Sequence, residues 1–486
     1  MRGTTAGRPA CDSAAAPAGR HAQHGGGAGG VGDHGWARRA GAGQWRRAGA
    51  GRWRRDGARA AAAVLSLGLV LAACTTTGSG GGTGSGGSSP APQPDPYPAA
   101  VQGPGPNGSF YDVPSAPAGS VHGQLLYYEP APSDATALPN TTDWTVAYVS
   151  TDAQGKPDVV TGTVIVPTAP WPGPGPRPVV DYAVGTQGIG PSCAPSKLFG
   201  TNSEYESVNI DATVAKGYAV VATDYQWSGT TDTPPATYVA GLSEGHAVLD
   251  MARVGAQIPG SGLSFSAPTV VWGYSQGGGA ATWAGQLWPS YQPKVDLVGV
   301  AAGGVPGNLI QVGESLDGGA FAGLAGIAII GMANAYPDLP FTSLLNATGQ
   351  QLVAKLDTAC VAGDIIDGAG MRISQVTTGG LTLQQVLKLG NWQADLLQNS
   401  PGQPGATIDV PTFMYRGDVD EIIPTSVEDQ VYATLCSDGT VIQSATFPGE
   451  HALTLFEAQG AALTFIAQRL AGDQPTNSCT TNGTSL

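Results

Sequence analysis

Residues 270–282 read VVWGYSQGGGAAT. The β-branched run Thr269-Val270-Val271-Trp272 reads as a strand, and the alanines after Gly279 read as a helix. Between them, Gly273-Tyr274-Ser275-Gln276-Gly277 is a GxSxG in the strand–turn–helix setting of a nucleophile elbow. Such a turn holds its serine in a sparsely populated backbone conformation, so the positions two before and two after it must lack side chains. The strain keeps Oγ above the sheet edge, and the helix N-terminus behind it favours negative charge as it develops. The chemistry this allows is covalent acyl transfer, provided that a base and an acid lie within reach.

The chain has six histidines as candidate bases. His21, His24 and His34 fall in an N-terminal segment that reads as processed. His122 precedes the expected parallel sheet, and His246 lies on an expected helix ahead of the elbow strand, where a histidine is usually structural. In this kind of site the chain order runs serine, acid, histidine. His451 alone follows Ser275, in a loop after the strand Val441–Gly449. The acid should follow a strand between the two. Asp418, Asp420 and Glu421 all follow the apolar run Val410–Gly417, and spacing alone leaves the three open.

The elements that would position these groups are legible as a pattern. HGQLLYYEP, DWTVAYVS and DVVTGTVIVP alternate or are β-branched, and read as an opening antiparallel meander. Continuous apolar strands then alternate with helices: strands over Arg177–Gly185, Tyr218–Tyr225, Thr269–Ser275 and Val295–Gly304, helices over Ser207–Gly217, Thr237–Ile258 and after Gly277. Strands apolar on both faces argue a parallel sheet covered on both sides. The alternation stops from Val305 to Gly405, a stretch that is apolar and helical in pattern. The sheet resumes at Val410–Gly417 and Val441–Gly449, and a helix from Leu453 to Gly472 closes the chain.

The first 98 residues read differently. Residues 1–60 are rich in Gly, Ala and Arg and cannot bury enough surface to order themselves. Arg52, Arg54, Arg55 and Arg59 precede the short apolar run Ala61–Ala73, the plan of an export signal. Leu71-Ala72-Ala73-Cys74 resembles a lipobox, which makes Cys74 a lipidated first residue and implies membrane association. A Gly/Ser/Pro tether follows to Pro98. Residues 1–73 carry a net charge of +8, so the rest of the chain carries −22 of the total of −14. So acidic a body disfavours nucleic acid and acidic substrates. Cys193, Cys360, Cys436 and Cys479 remain, without CxxC spacing, so two disulfides are expected rather than a metal site. The organisation expected is 1–73 processed, 74–98 lipidated tether, 99–304 and 406–486 core, and 305–405 a helical cap insertion.

The motifs CAPS (Cys193–Ser196), AGLSEGHAVLD, GYSQGG, AAGGVP, GGAFAGLAGI, VDEIIP and GEHALT together resemble the secretory lipase family, from Cys193 to the C-terminus. The resemblance implies an α/β-hydrolase fold with a mainly helical cap or lid. It implies a Ser275, Asp420, His451 triad, since VDEIIP singles out Asp420. It implies an oxyanion hole formed by Gln276 and Asp224, although Gln276 stands where the family has Gly. The amides around Gln187 are a rival donor set. It also implies the disulfides Cys193–Cys360 and Cys436–Cys479, the first worth on the order of 4–5 kcal/mol in chain-entropy terms. No metal or cofactor is called for. The substrate implied is a lipid or other carboxylic ester, with the small residues around Phe321–Ile330, Gly323 and Gly326 among them, lining an acyl slot. A short-chain carboxylesterase and an acyltransferase are the alternatives on the same scaffold. A non-enzymatic surface binding module is disfavoured by the complete set of triad residues.

Overall fold

A computed structural model of the chain describes residues 97–486 apart from 107, 109, 113–114, 132–139, 227–234 and 481–484. The expected export signal, Cys74 and the expected tether as far as residue 96 lie outside the described residues.

Among the described residues ten strands form a single sheet: β1 (Val101–Gln102), β2 (Leu125–Pro130), β3 (Thr141–Thr151), β4 (Pro157–Pro167), β5 (Val179–Ala183), β6 (Ala219–Thr223), β7 (Pro268–Tyr274), β8 (Asp296–Gly303), β9 (Thr412–Gly417) and β10 (Ile442–Phe447). Their order is β1-β2-β3-β4-β6-β5-β7-β8-β9-β10. β2, β3 and β4 pair antiparallel, the expected meander, and β4 joins it to β6 by a further antiparallel pairing that was not expected. From β6 through β5, β7, β8 and β9 to β10 every pairing is parallel. The helices α1 (Pro195–Gly200), α2 (Ser207–Val214), α3 (Gly241–Val254) and α4 (Gln276–Tyr291) connect the first half. This is the α/β-hydrolase fold.

The sheet's two faces explain its unbroken apolar strands. Val270 and Trp272 of β7 and Val180 and Tyr182 of β5 pack with Ile210 of α2. Val271 and Val179 point the other way, among Val248 of α3 and Ala280 of α4. Both sets are almost wholly buried, each aliphatic side chain contributing about 2 kcal/mol. Alternation along a strand therefore sorts residues between two cores instead of between core and water.

Between β8 and β9 run eight helices: α5 (Leu309–Leu316), α6 (Ala322–Ala335), α7 (Phe341–Leu344), α8 (Ala347–Leu356), α9 (Val361–Gly368), α10 (Ile373–Val376), α11 (Leu383–Val386) and α12 (Trp392–Gln398). α5 begins where Asn308 accepts the Gln311 amide at 3.1 Å, the usual N-cap bond. α6 and α9 touch backbone to backbone. A Cβ on Gly323 would sit 1.9 Å from the Asp364 carbonyl oxygen, and one on Gly368 would sit 2.2 Å from Gly323 Cα. Cys193 bonds Cys360 and Cys436 bonds Cys479, so the first bridge ties the residues after β5 to the start of α9.

After β9 come α13 (Thr425–Ser437), α14 (His451–Glu457) and α15 (Gln459–Ala471). The closing helix is thus two helices, and it begins at His451 rather than Leu453. Glu450 caps it, its carboxylate accepting the Ala452 and Leu453 amides at 2.9 and 3.1 Å.

Candidate active site

β7 ends at Tyr274 and α4 starts at Gln276, so Ser275 alone makes the turn. Its φ of 59° and ψ of −121° lie outside the regions open to ordinary residues. The neighbouring glycines have the steric cause expected. A Cβ on Gly273 would fall 2.2 Å from the Gly277 carbonyl oxygen, and one on Gly277 would fall 1.9 Å from the Ala183 carbonyl oxygen. The Ser275 amide donates to Gly303 at 2.9 Å, and its carbonyl accepts the Gly279 amide at 3.0 Å. These bonds offset the strain from both sides of the turn.

Ser275 Oγ lies 2.9 Å from His451 Nε2. His451 Nδ1 lies 2.6 Å from Asp420 Oδ2. The His451 side chain is 8 % exposed and the Asp420 carboxylate is fully buried. Asp420 is itself held, its Oδ1 accepting the Ile422 and Ile423 amides at 3.0 and 2.8 Å. The structure thus brings together Ser275, His451 and Asp420, and it separates the three acids that spacing left open. Glu421 accepts the His451 backbone amide at 3.0 Å, and Asp418 is half exposed and 4.0 Å from Arg416.

Two supports escaped sequence reasoning. Tyr274 OH donates to the His451 carbonyl at 2.8 Å, so the residue before Ser275 also holds the helix that begins at His451. Gln276 Nε2 donates to Glu244 Oε1 at 2.7 Å, and Val239 N donates to the same oxygen at 3.0 Å. Burial pushes Glu244 up to about 7. No spacing rule marks either pair, because both join residues distant in sequence or in role.

The expectation for Asp224 fails. Its amide, its one backbone donor, goes to the Thr161 carbonyl at 2.8 Å. Its carboxylate accepts Ser196 N at 2.7 Å, and Ser196 Oγ and Thr161 Oγ1 at 2.5 Å. Asp224 therefore fastens the start of α1 to β4 and β6 and has nothing to offer an oxyanion. Gln276 differs: as the first residue of α4, its N–H has no intrahelical acceptor. The residues after β5 also run beside the elbow, because β5 and β7 pair with Ala183 opposite Gly273.

His122 and His246 sit elsewhere. His122 Nδ1 meets Asp250 at 2.8 Å and His246 Nδ1 meets the Thr151 carbonyl at 3.1 Å. The rings of both pack on Tyr291.

Ser275 and Gln276 open onto an apolar cleft of about 780 Å³, its mouth included. Leu309 and Val312 of α5 and Ala325, Ala328 and Ile329 of α6 form much of its wall. Gly323 and Gly326 do not. Gly323 faces α9, and Gly326 faces Leu356 of α8, where a Cβ would come within 2.9 Å of Leu356 Cδ1. The small residues on the cleft side of α6 are alanines.

The secretory lipase family model matches residues 193–478. Lipase 2 of Candida albicans is 30% identical over 417 residues, covering 79% of this chain and 85% of that protein. Lipase A of Moesziomyces aphidis is 27% identical over 399 residues, covering 76% of this chain and 81% of that protein. Among solved structures, Candida antarctica lipase A in its closed state aligns with a TM-score of 0.67 at 24% identity, over 79% of this chain and 90% of that one. The rice cell wall degrading esterase LipA from Xanthomonas oryzae aligns with a TM-score of 0.59 at 17% identity, over 73% of this chain and all of that one. Both likenesses are of fold. The family match takes in the elbow, the helical insertion and the segments that carry Asp420 and His451, and the chain belongs to the secretory lipase family of carboxylic ester hydrolases.

Proposed function

We propose that the chain is a lipase that cleaves acylglycerol esters through an acyl-enzyme on Ser275. The observation that carries this reading is the unbroken line of hydrogen bonds from Ser275 Oγ through His451 to Asp420, at the mouth of an apolar cleft. Ser275 Oγ attacks the ester carbonyl carbon while His451 Nε2 takes its proton. Asp420 holds the imidazole in the tautomer that presents Nε2 and stabilises the imidazolium that forms. The oxyanion is met by the Gln276 amide and by the amides around Gln187. Each such donor contributes about 3 kcal/mol to the barrier's reduction. The tetrahedral intermediate collapses as His451 returns its proton to the leaving alkoxide, which departs as the alcohol. Water, activated by the same imidazole, then attacks the acyl-Ser275 carbonyl and releases the acid.

The acyl chain lies along the cleft wall formed by α5 and α6, and residues 305–405 act as the cap over the site. The enzyme works outside the cytoplasm, held to the membrane by a lipid on Cys74. The two disulfides agree with an oxidising compartment.

Hydrolysis of p-nitrophenyl esters from acetate to palmitate, by the wild type and by Ser275→Ala, tests this. Activity that vanishes in the variant and peaks at long chains is the expected result. Activity confined to acetate and butyrate would make the enzyme a short-chain esterase, and activity surviving in the variant would remove Ser275 from the mechanism. Assayed in membrane and medium fractions, Cys74→Ser should move the same activity into the medium.

A further inference from the structure

Glu204, Tyr205 and Glu206 form the turn just ahead of α2, and the mechanism above uses none of them. Each holds one residue of the loop that follows β5. Glu206 Oε2 accepts the Gly185 amide at 2.6 Å. Tyr205 OH donates to the Thr186 carbonyl at 3.1 Å. Glu204 Oε1 accepts Gln187 Nε2 at 3.0 Å. The same oxygen accepts the Glu206 amide at 3.0 Å, which locks the turn itself. Three consecutive residues thus grip three consecutive residues.

The grip acts on direction as well as position. The Thr186 carbonyl and the Gln187 N–H belong to one planar trans peptide unit and point opposite ways. A hydroxyl fixed on the Thr186 oxygen therefore fixes the direction of the Gln187 N–H. The next peptide unit is set in the same way, since the Gln187 carbonyl accepts the Val361 amide at 2.8 Å. The fit is close: a Cβ on Gly185 would stand 2.8 Å from Glu206 Oε1 and 3.2 Å from the Tyr274 carbonyl oxygen, beside the elbow. Glu204 and Glu206 are both buried. Two acids placed side by side away from water are costly unless they hold something.

We propose that Glu204, Tyr205 and Glu206 are positioning residues whose three-point grip on Gly185–Gln187 aims the second oxyanion donor at the ester carbonyl over Ser275. This rests on the reading of Ser275 as nucleophile and of the loop after β5 as donor. A displaced donor weakens the bond made in the transition state and leaves ground-state binding in the cleft largely as it was. Loss should therefore fall on kcat rather than on KM.

The test uses the full-length enzyme with Tyr205→Phe, Glu206→Ala and Glu206→Gln. Active serines are counted first by the p-nitrophenol released on inactivation with a p-nitrophenyl phosphonate. Rates on p-nitrophenyl butyrate are then expressed per counted site. Tyr205→Phe and Glu206→Ala should each lower kcat about tenfold or more with KM within about twofold. Glu206→Gln, which keeps an oxygen for the Gly185 amide, should recover most of that loss. Equal kcat per counted site in wild type, Tyr205→Phe and Glu206→Ala would overturn the proposal, even if fewer sites were counted. Tyr205→Phe removes a single oxygen and carries the test if Glu206→Ala does not fold. A wild type that the phosphonate fails to label would show that the nucleophile reading itself is wrong, and the grip would fall with it.

Discussion

Ser275 holds a backbone conformation that few residues tolerate, and its neighbours exist to permit it. Gly273 and Gly277 leave room for carbonyl oxygens, and Tyr274 reaches over to the helix that carries His451. Asp420 shows how narrow the demand is. Of three acids in four positions, it alone reaches the imidazole, because the Ile422 and Ile423 amides turn its carboxylate that way. Asp420→Asn keeps the shape but favours the wrong tautomer of His451. It should lower kcat about 10⁴-fold with little change in Tm. A drop of tenfold or less, measured on p-nitrophenyl butyrate, would mean that Asp420 only packs against the ring. At this scale the sequence was readable where chemistry forces a residue type. Ser275 followed from its glycines, His451 from elimination, and Asp420 from a family motif. Asp224 was misread because nothing in its neighbourhood of sequence reveals that Thr161 and Ser196 use it up.

Among the elements, α6 has two faces with different tasks. One carries Gly323 and Gly326 against α9 and α8, and the other carries Ala325 and Ala328 along the cleft. The glycine-rich run was read as lining an acyl slot, but its glycines pack against neighbouring helices, because a single sequence does not say which side of the helix faces the cleft. The separation gives a prediction. Ala328→Phe should fill the cleft and cut kcat/KM on palmitate about tenfold more than on butyrate, one lost binding segment costing about 1.4 kcal/mol. Gly323→Leu should instead lower Tm and spare the chain-length ratio, because it forces α6 from α9. A reversed pattern in those two ratios would put the acyl chain on the other face. The strands were read more securely than the helices. Their apolar runs have one explanation in a sheet covered on both sides, whereas the helix that begins at His451 depends on a cap by Glu450. The short α1 also went unread, although Pro195 at its first turn was a usable signal.

For the molecule as a whole, buried acids set the response to pH. Burial pushes Asp158, Glu204 and Glu244 up to about 7 each. An acid whose folded value is raised holds its proton better folded than unfolded. Its contribution is complete below the ordinary carboxylate range and is lost as pH rises through the folded value. His122 has the same sign: its hydrogen bond to Asp250 raises it, so its contribution also fades as pH rises. His246 opposes this at the acid end, since burial lowers its value and protonation there costs stability. Tm should therefore fall as pH rises from about 6 to about 8. Thermal unfolding followed by tryptophan fluorescence would show it, and a Tm that climbs across that interval would refute the account.

The order of parts along the chain has its own consequence. Ser275 precedes His451 by 176 residues, and the eight helices between β8 and β9 fall in that gap. β9 and β10, which lead to Asp420 and His451, are the outermost strands at one edge of the sheet. A polypeptide emerging from the ribosome therefore carries the Ser275 segment long before the segments that hold Asp420 and His451 exist. Under the proposed mechanism turnover needs this edge in place, so the time at which it first appears during refolding should be a clock for the docking of β9 and β10.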